Sequence, residues 1–161
     1  MRLMVVRHAK AAWPGGVADI DRPLAPRGIT EARELGVDLA ERKSVPDAAL
    51  VSPALRTRQT WDLMKASWAD GPRPVIDDKI YEGGAWRLLN AIRSRGGIWP
   101  SLMLVGHNPG VLDLVEALAT DIERVPMNFA PATLVVLEFD LDSWSTLEPD
   151  TGDVVRVRAA R

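Results

Sequence analysis

The chain has only two histidines, His8 and His107, and each closes a short apolar run. Leu3 to Val6 leads into Arg7-His8, and Leu102 to Val105 leads into Gly106-His107-Asn108-Pro109-Gly110. A third run, Ala48 to Val51, ends in Ser52-Pro53 with Arg56 one helical turn further on. In open α/β sheets, ligands bind outside the carboxyl ends of the strands. If the three runs are parallel strands, their ends share one rim. That rim offers two guanidinium forks, Arg7 and Arg56, suited to phosphate oxygens. It also offers two helix starts, after Ser52 and after Asn108, which present unpaired N–H groups and a positive dipole end. Two imidazoles lie among them, and a neutral imidazole is a nucleophile toward phosphorus. The natural guest is a phosphoryl group. Each feature alone has a plainer reading. A histidine at a strand end is ordinarily structural, an arginine in a first helical turn lies on the surface, and Gly-His-Asn-Pro-Gly makes a tight turn. Their joint placement is what favours a phosphate site.

The elements that must carry these residues can be read from periodicity. Leu3 to Val6, Ala48 to Val51 and Leu102 to Val105 are continuous apolar runs, the pattern of strands covered on both faces. Val75-Ile76 reads as a shorter strand, and Thr133 to Phe139 and Val154 to Val157 as two closing strands. Residues 11–27 form a polar loop containing prolines and glycines. A helix follows, with Ala32, Leu35, Gly36, Leu39 and Ala40 on one face. Ser52-Pro53 and Asn108-Pro109 each read as an N-cap followed by proline at the first helical position. The first of these helices carries Thr57, Trp61, Met64 and Trp68 in a stripe. The second carries Leu112, Val115, Leu118 and Ala119. Residues 84–95 read as a helix through Trp86, Leu89 and Ile92. Strand and helix alternate, so the expected fold class is α/β, a three-layer sandwich with helices on both faces of a mostly parallel sheet. The last two strands follow one another without a helix, which makes one edge antiparallel.

Composition narrows the function classes. The 161 residues are expected to form one domain over 1–161 with a substantial core, at 47% hydrophobic and 26% charged content. The net charge of -2 and pI of about 5.7 give no field for a nucleic-acid backbone. Cysteine is absent, which excludes disulfides and thiolate metal sites and suits a reducing cytoplasm. No signal peptide is visible and no apolar run approaches a membrane span, so no membrane partner is expected. There is no P-loop, no dinucleotide fingerprint and no paired-histidine metal motif, so neither cofactor nor metal is expected. Asp77-Asp78 reads as an acidic turn, and "RVRAAR" at the carboxyl end as a frayed or edge strand.

"RHAK" at Arg7–Lys10, "SPALRTRQT" at Ser52–Thr60 and "GHNPG" at Gly106–Gly110 occur in the order found in the histidine phosphatase superfamily, which the chain resembles over most of its length. "DRPLAPRG" at Asp21–Gly28 and the short length resemble its SixA-type phosphohistidine phosphatases. The resemblance implies a phosphoglycerate mutase-like fold. It implies His8 as the nucleophile that becomes a transient phosphohistidine, Arg7 and Arg56 as holders of the phosphoryl oxygens, and His107 as a hydrogen-bond donor to the same group. Glu82, in "YEGG", stands where family members often place a proton donor for the leaving group. Asn108 joins the substrate-binding set, and Arg22 is expected to brace the loop over the first strand and to reach substrate. Two positions depart from the family pattern. Ala9 replaces the usual glycine after the nucleophile, and Lys10, expected in solvent, follows it. The gap of 51 positions from Arg56 to His107 leaves no room for a large helical cap, which predicts an open site. An open site favours a phosphorylated side chain on another protein over a small phosphoester. The expected activity is a metal-independent phosphatase acting on protein phosphohistidine. The alternatives are a small-molecule phosphomonoesterase and, from another class, a non-catalytic phosphate-binding module.

Overall fold

The computed structural model describes residues 1–160. In chain order its main elements are β1 (Arg2–Arg7), α1 (Pro26–Glu41), β2 (Ala48–Val51), α2 (Leu55–Lys65) and β3 (Val75–Ile76). They continue with α3 (Ala85–Arg95), β4 (Ser101–Gly106), α4 (Gly110–Leu118), β5 (Leu134–Glu138) and β6 (Asp153–Arg158). The six strands form one sheet in the order β3-β2-β4-β1-β5-β6. The first four are mutually parallel, and β5 and β6 add an antiparallel edge. The fold class is the expected α/β sandwich.

Register sets the rim. Arg7 of β1 pairs with Gly106 of β4, and Val105 of β4 pairs with Val51 of β2. The three strands therefore end level, and the residues that follow them emerge side by side. Alternation along the strands divides the core. Leu3, Val5, Leu50, Leu102 and Leu104 pack with Leu88 and Ile92 of α3 and Leu114 and Leu118 of α4. Met4, Val6, Ala49, Val51, Met103 and Val105 pack with Leu35 and Leu39 of α1 and Trp61 and Met64 of α2. Because both faces are covered, the central strands read as unbroken apolar runs. Each of the leucines, valines, isoleucines and methionines among them, fully removed from water, contributes about 1.5–3 kcal/mol.

Four expectations need correction. The helix after β2 begins at Leu55, so neither Ser52 nor Pro53 occupies the cap and first-turn positions. The helix after β4 begins at Gly110 behind a cis Asn108-Pro109 bond, so Asn108 is not its cap. In both cases the polar side chain also makes a tertiary contact, described below. Trp86 is 65% exposed, and α3 buries Leu88, Leu89, Ala91 and Ile92 instead. Trp68 lies beyond the end of α2, where its indole N–H donates to the Gly36 carbonyl at 3.0 Å. Two smaller expectations hold. Asp77 caps a short 3-10 turn by accepting from the Lys79 N–H, as an acidic turn should. β6 is the sheet edge, with Arg156 and Arg158 on Asp38 of α1.

One close approach matters for the site. A Cβ on Gly28, in the first turn of α1, would lie 2.1 Å from the Lys10 carbonyl oxygen. Glycine there lets α1 rest on the backbone that follows His8. Gly28→Ala is expected to destabilise the protein by about 1–3 kcal/mol through this backbone clash. Gly15→Ala, in a loop position with nothing within 4 Å and no left-handed backbone, serves as the neutral control. Urea denaturation midpoints compare the two.

Candidate active site

The backbone N–H of His8 donates to the Gly106 carbonyl at 3.0 Å, continuing the β1–β4 pairing one step past the strand. The His8 Nδ1 lies 2.7 Å from the carbonyl oxygen of Ala9. A carbonyl can only accept, so Nδ1 carries the proton and Nε2 keeps its lone pair. The next residues are tied down. The Ala9 N–H donates to Thr60 Oγ1 of α2 at 3.1 Å, and the Lys10 N–H to Glu31 Oε2 of α1 at 3.0 Å. Ala9 is fully buried and its backbone is not left-handed, so alanine in place of glycine carries no strain. The Lys10 side chain is exposed, as expected.

Around His8 the structure gathers the other expected residues. Its ring centroid is 5.2 Å from that of His107. His107 Nε2 lies 2.7 Å from Ser52 Oγ, a hydroxyl that can donate or accept and so suits either ring tautomer. The same Oγ also accepts from the Ala54 N–H at 3.4 Å, so Ser52 turns the chain ahead of α2 while it meets His107. Arg7 donates through Nη1 to the Phe129 carbonyl at 2.9 Å, and Asn108 Nδ2 donates to the same oxygen at 3.0 Å. Arg56 is buried to 6% exposure and donates through Nη1 and Nη2 to the carbonyl and carboxylate of Asp19. Arg22 does brace the loop. Its Nε donates to the Ala12 carbonyl at 3.0 Å, its Nη1 to Asp19 at 3.1 Å, and its guanidinium lies 3.2 Å above the Trp13 ring. Glu82 has a left-handed backbone, φ 55°, and an exposed side chain. It lines a cavity of about 550 Å³ together with Asp19, Arg56, Tyr81, His107 and Asn108.

The electrostatics follow from burial among cations. His8 is pushed down to about 4, first by burial, against the pull of its bond to Ala9, and then by Arg56, Arg7 and Arg22. His107 is pushed down to about 3, again first by burial and then by His8 and Arg56. Both rings are neutral at neutral pH. Asp19 is held down at about 2, chiefly by the Tyr81 hydroxyl and then by Arg22 and Arg56. The arrangement is a neutral imidazole with a free Nε2, facing a second imidazole and several guanidiniums. That combination can accept and hold a phosphoryl group. Buried Arg7 Nε, Arg56 Nε and His107 Nδ1 have no hydrogen-bond partner among the described residues. The site thus contains polar capacity that the fold leaves unused.

The sequence profile of the histidine phosphatase superfamily (branch 1) matches residues 3–96. The chain belongs to the histidine phosphatase superfamily. An uncharacterized protein of Mycobacterium tuberculosis is 34% identical to this chain, over 97% of this chain and 100% of its own. Among solved structures, a candidate SixA phosphohistidine phosphatase from Nakamurella multipartitia superposes with a TM-score of 0.87 at 25% identity. The match covers 99% of this chain and 95% of that one. A second candidate SixA phosphohistidine phosphatase, from Agrobacterium tumefaciens, gives 0.82 at 30% identity, covering 98% and 97%.

Sequence reasoning missed Asp19 and the hydroxyl of Tyr81. Asp19 sits in a loop of mixed composition, where no periodicity marks any residue. Tyr81 adjoins Glu82 and could have been singled out as the chain's one tyrosine. Among the described residues no group of three or more His, Asp or Glu could hold a metal ion. No described helix is long and apolar enough to cross a membrane.

The depressed histidines tie stability to pH. On unfolding, each ring returns toward 6.5, so the unfolded chain takes up protons that the folded chain refuses. Stability is full above about pH 6.5 and is lost as pH falls toward 4. The slope is up to roughly 1.4 kcal/mol per pH unit for each ring. His8→Gln and His107→Gln should each flatten it, as read from unfolding free energies between pH 7 and 5.

Proposed function

We propose that this chain is a single-domain phosphatase, residues 1–161, that needs no metal and works through a phosphohistidine at His8. The observation that carries this is the contact between His8 Nδ1 and the Ala9 carbonyl, which sets the tautomer. The His8 Nδ1–H is committed to that carbonyl at 2.7 Å, which leaves Nε2 unprotonated beside Arg7, Arg56 and His107. In the first transfer the Nε2 lone pair forms a bond to phosphorus while the bond to the leaving group breaks in line. In the second, a water oxygen attacks phosphorus and the P–Nε2 bond breaks. The bonding pair returns to His8, and the proton of the water leaves with the phosphate or to solvent. Arg7, Arg56 and the ring N–H of His107 hold the equatorial oxygens, with Asn108 fixing the loop beside them. Charge spread over those oxygens is what positioning and electrostatics must stabilise. The guanidiniums supply the positive charge, so the reaction is independent of a metal ion.

The preferred substrate in this reading is phosphohistidine on a protein, in a reducing, cytoplasmic setting. Resemblance to SixA-type proteins supports it, and so does the chemistry. A phosphorylated imidazole protonated at its other nitrogen leaves as a neutral ring, so no strong acid residue is required. Glu82 favours a second reading, hydrolysis of small phosphate esters. It stands exposed at the cavity wall, where its carboxyl could give a proton to a departing alkoxide.

Rapid mixing with labelled phosphohistidine protein and with p-nitrophenyl phosphate tests both readings. Wild type should trap a phosphoenzyme that is acid-labile and alkali-stable, and His8→Ala should trap none. Failure to trap one on either donor would reject the covalent route. Glu82→Gln should leave phosphohistidine turnover nearly intact while alkyl phosphate turnover falls by about 10²-fold or more. Equal losses on both substrates would reject the distinction between leaving groups.

A further inference from the structure

Asp19 joins more of the site than any residue the motifs mark. It lies in a single 3-10 turn, Asp19–Asp21, within the loop between β1 and α1. Its backbone carbonyl accepts from Arg56 Nη1 at 2.7 Å, and its Oδ2 accepts from Arg56 Nη2 at 3.1 Å. The same Oδ2 accepts from the Tyr81 hydroxyl at 2.7 Å, and Oδ1 accepts from Arg22 Nη1 at 3.1 Å. Tyr81 in turn stands edge-on to the His107 ring, with centroids 5.7 Å apart. One carboxylate therefore links the β1–α1 loop, the first turn of α2 and the β3–α3 loop.

The division of Arg56 is informative. Asp19 takes one N–H from each terminal nitrogen, while Nε remains unpartnered. A guanidinium has five N–H groups in a fixed plane, so holding one edge aims the other. The Arg56 side chain is 7% exposed and Asp19 is its one carboxylate partner among the described residues, while Asp19 itself is 48% exposed. A long cationic side chain with that much rotamer freedom needs such a brace to keep one orientation.

We propose that Asp19 is a positioning residue: it orients the Arg56 guanidinium for the phosphoryl group and, through Tyr81, seats the ring beside His107. This deepens the proposed function and rests on its assignment of Arg56 to the phosphoryl oxygens. Asp19 touches no reacting atom. Because it already accepts three side-chain hydrogen bonds, it stays a carboxylate and acts by geometry.

The test is a double-mutant cycle read by calorimetric binding of inorganic phosphate and vanadate, together with kcat/KM. Asp19→Ala is expected to weaken phosphate by about 10-fold and lower kcat/KM by about 10²-fold, the scale of a small misplacement. In an Arg56→Ala background, the effect of Asp19→Ala on phosphate affinity should shrink to less than about 3-fold, the share carried through Tyr81. Asp19→Asn, which keeps an acceptor for Tyr81, should recover part of the loss, and Tyr81→Phe should lower kcat more than it raises KM. Thermal midpoints establish that each variant is folded, and Asp19→Asn replaces Asp19→Ala if the latter is not. Equal losses with and without Arg56 would overturn the proposal, as would unchanged affinity. Tighter phosphate binding in Asp19→Ala would also overturn it, showing that the carboxylate competes for the guanidinium. Wild type that binds phosphate but traps no phosphoenzyme rejects the hydrolase reading alone. Wild type that binds no phosphate rejects both.

Discussion

The site depends on keeping a histidine neutral among guanidiniums and turned the right way. Burial disfavours its cation, and three arginines disfavour it further. Neutrality alone would still allow either ring nitrogen to carry the proton. The carbonyl of Ala9 removes that freedom. It must itself be fixed, and the hydrogen bonds from Ala9 to Thr60 and from Lys10 to Glu31 fix it from two helices. The contact between α1 and the Lys10 backbone, which a glycine at 28 permits, belongs to the same set. The helices on one face of the sheet thus determine the protonation pattern at its rim.

Much of this was legible in the sequence because the strands are buried on both faces. Four-residue apolar runs at Leu3–Val6, Ala48–Val51 and Leu102–Val105 have few alternative readings, and their polar successors mark the strand ends. Parallel pairing then brings His8, Ser52 and His107 to one line, although 99 positions separate the two histidines. The three motifs carry the family resemblance for the same reason, since each begins where a strand stops.

The errors came where one side chain has two possible partners. Ser52 followed by proline is a good helix start, but a tertiary partner competes with the local one. Here the Ser52 hydroxyl is shared between His107 and the Ala54 N–H, and the helix begins at Leu55. Asn108 donates its amide N–H to the Phe129 carbonyl, while its Oδ1, the atom that would cap a helix, is buried without a hydrogen-bond partner among the described residues. Trp86 followed the helical period and still faces outward, because a large ring beside a loop is not obliged to join the core. Asp19 was invisible for a further reason. Beside its local partner Arg22, the partners that tie it to the site are distant, 37 positions away in Arg56 and 62 in Tyr81, and nothing in its neighbours announces them.

The carbonyl oxygen of Phe129 accepts from both Arg7 and Asn108, one from each histidine motif. It belongs to the segment that enters β5, the first antiparallel strand. The pattern of parallel strand ends gives that segment no part in the rim, yet its backbone joins two sides of it. The Phe129 ring is itself fully buried in the core, so packing fixes where this carbonyl stands. The length of the chain leading into β5 is constrained with it. Insertions or deletions between Val125 and Thr133 would retune the spacing of Arg7 and Asn108 without altering any residue of the three motifs. Divergence of activity among proteins built this way therefore has a route that motif comparison does not see.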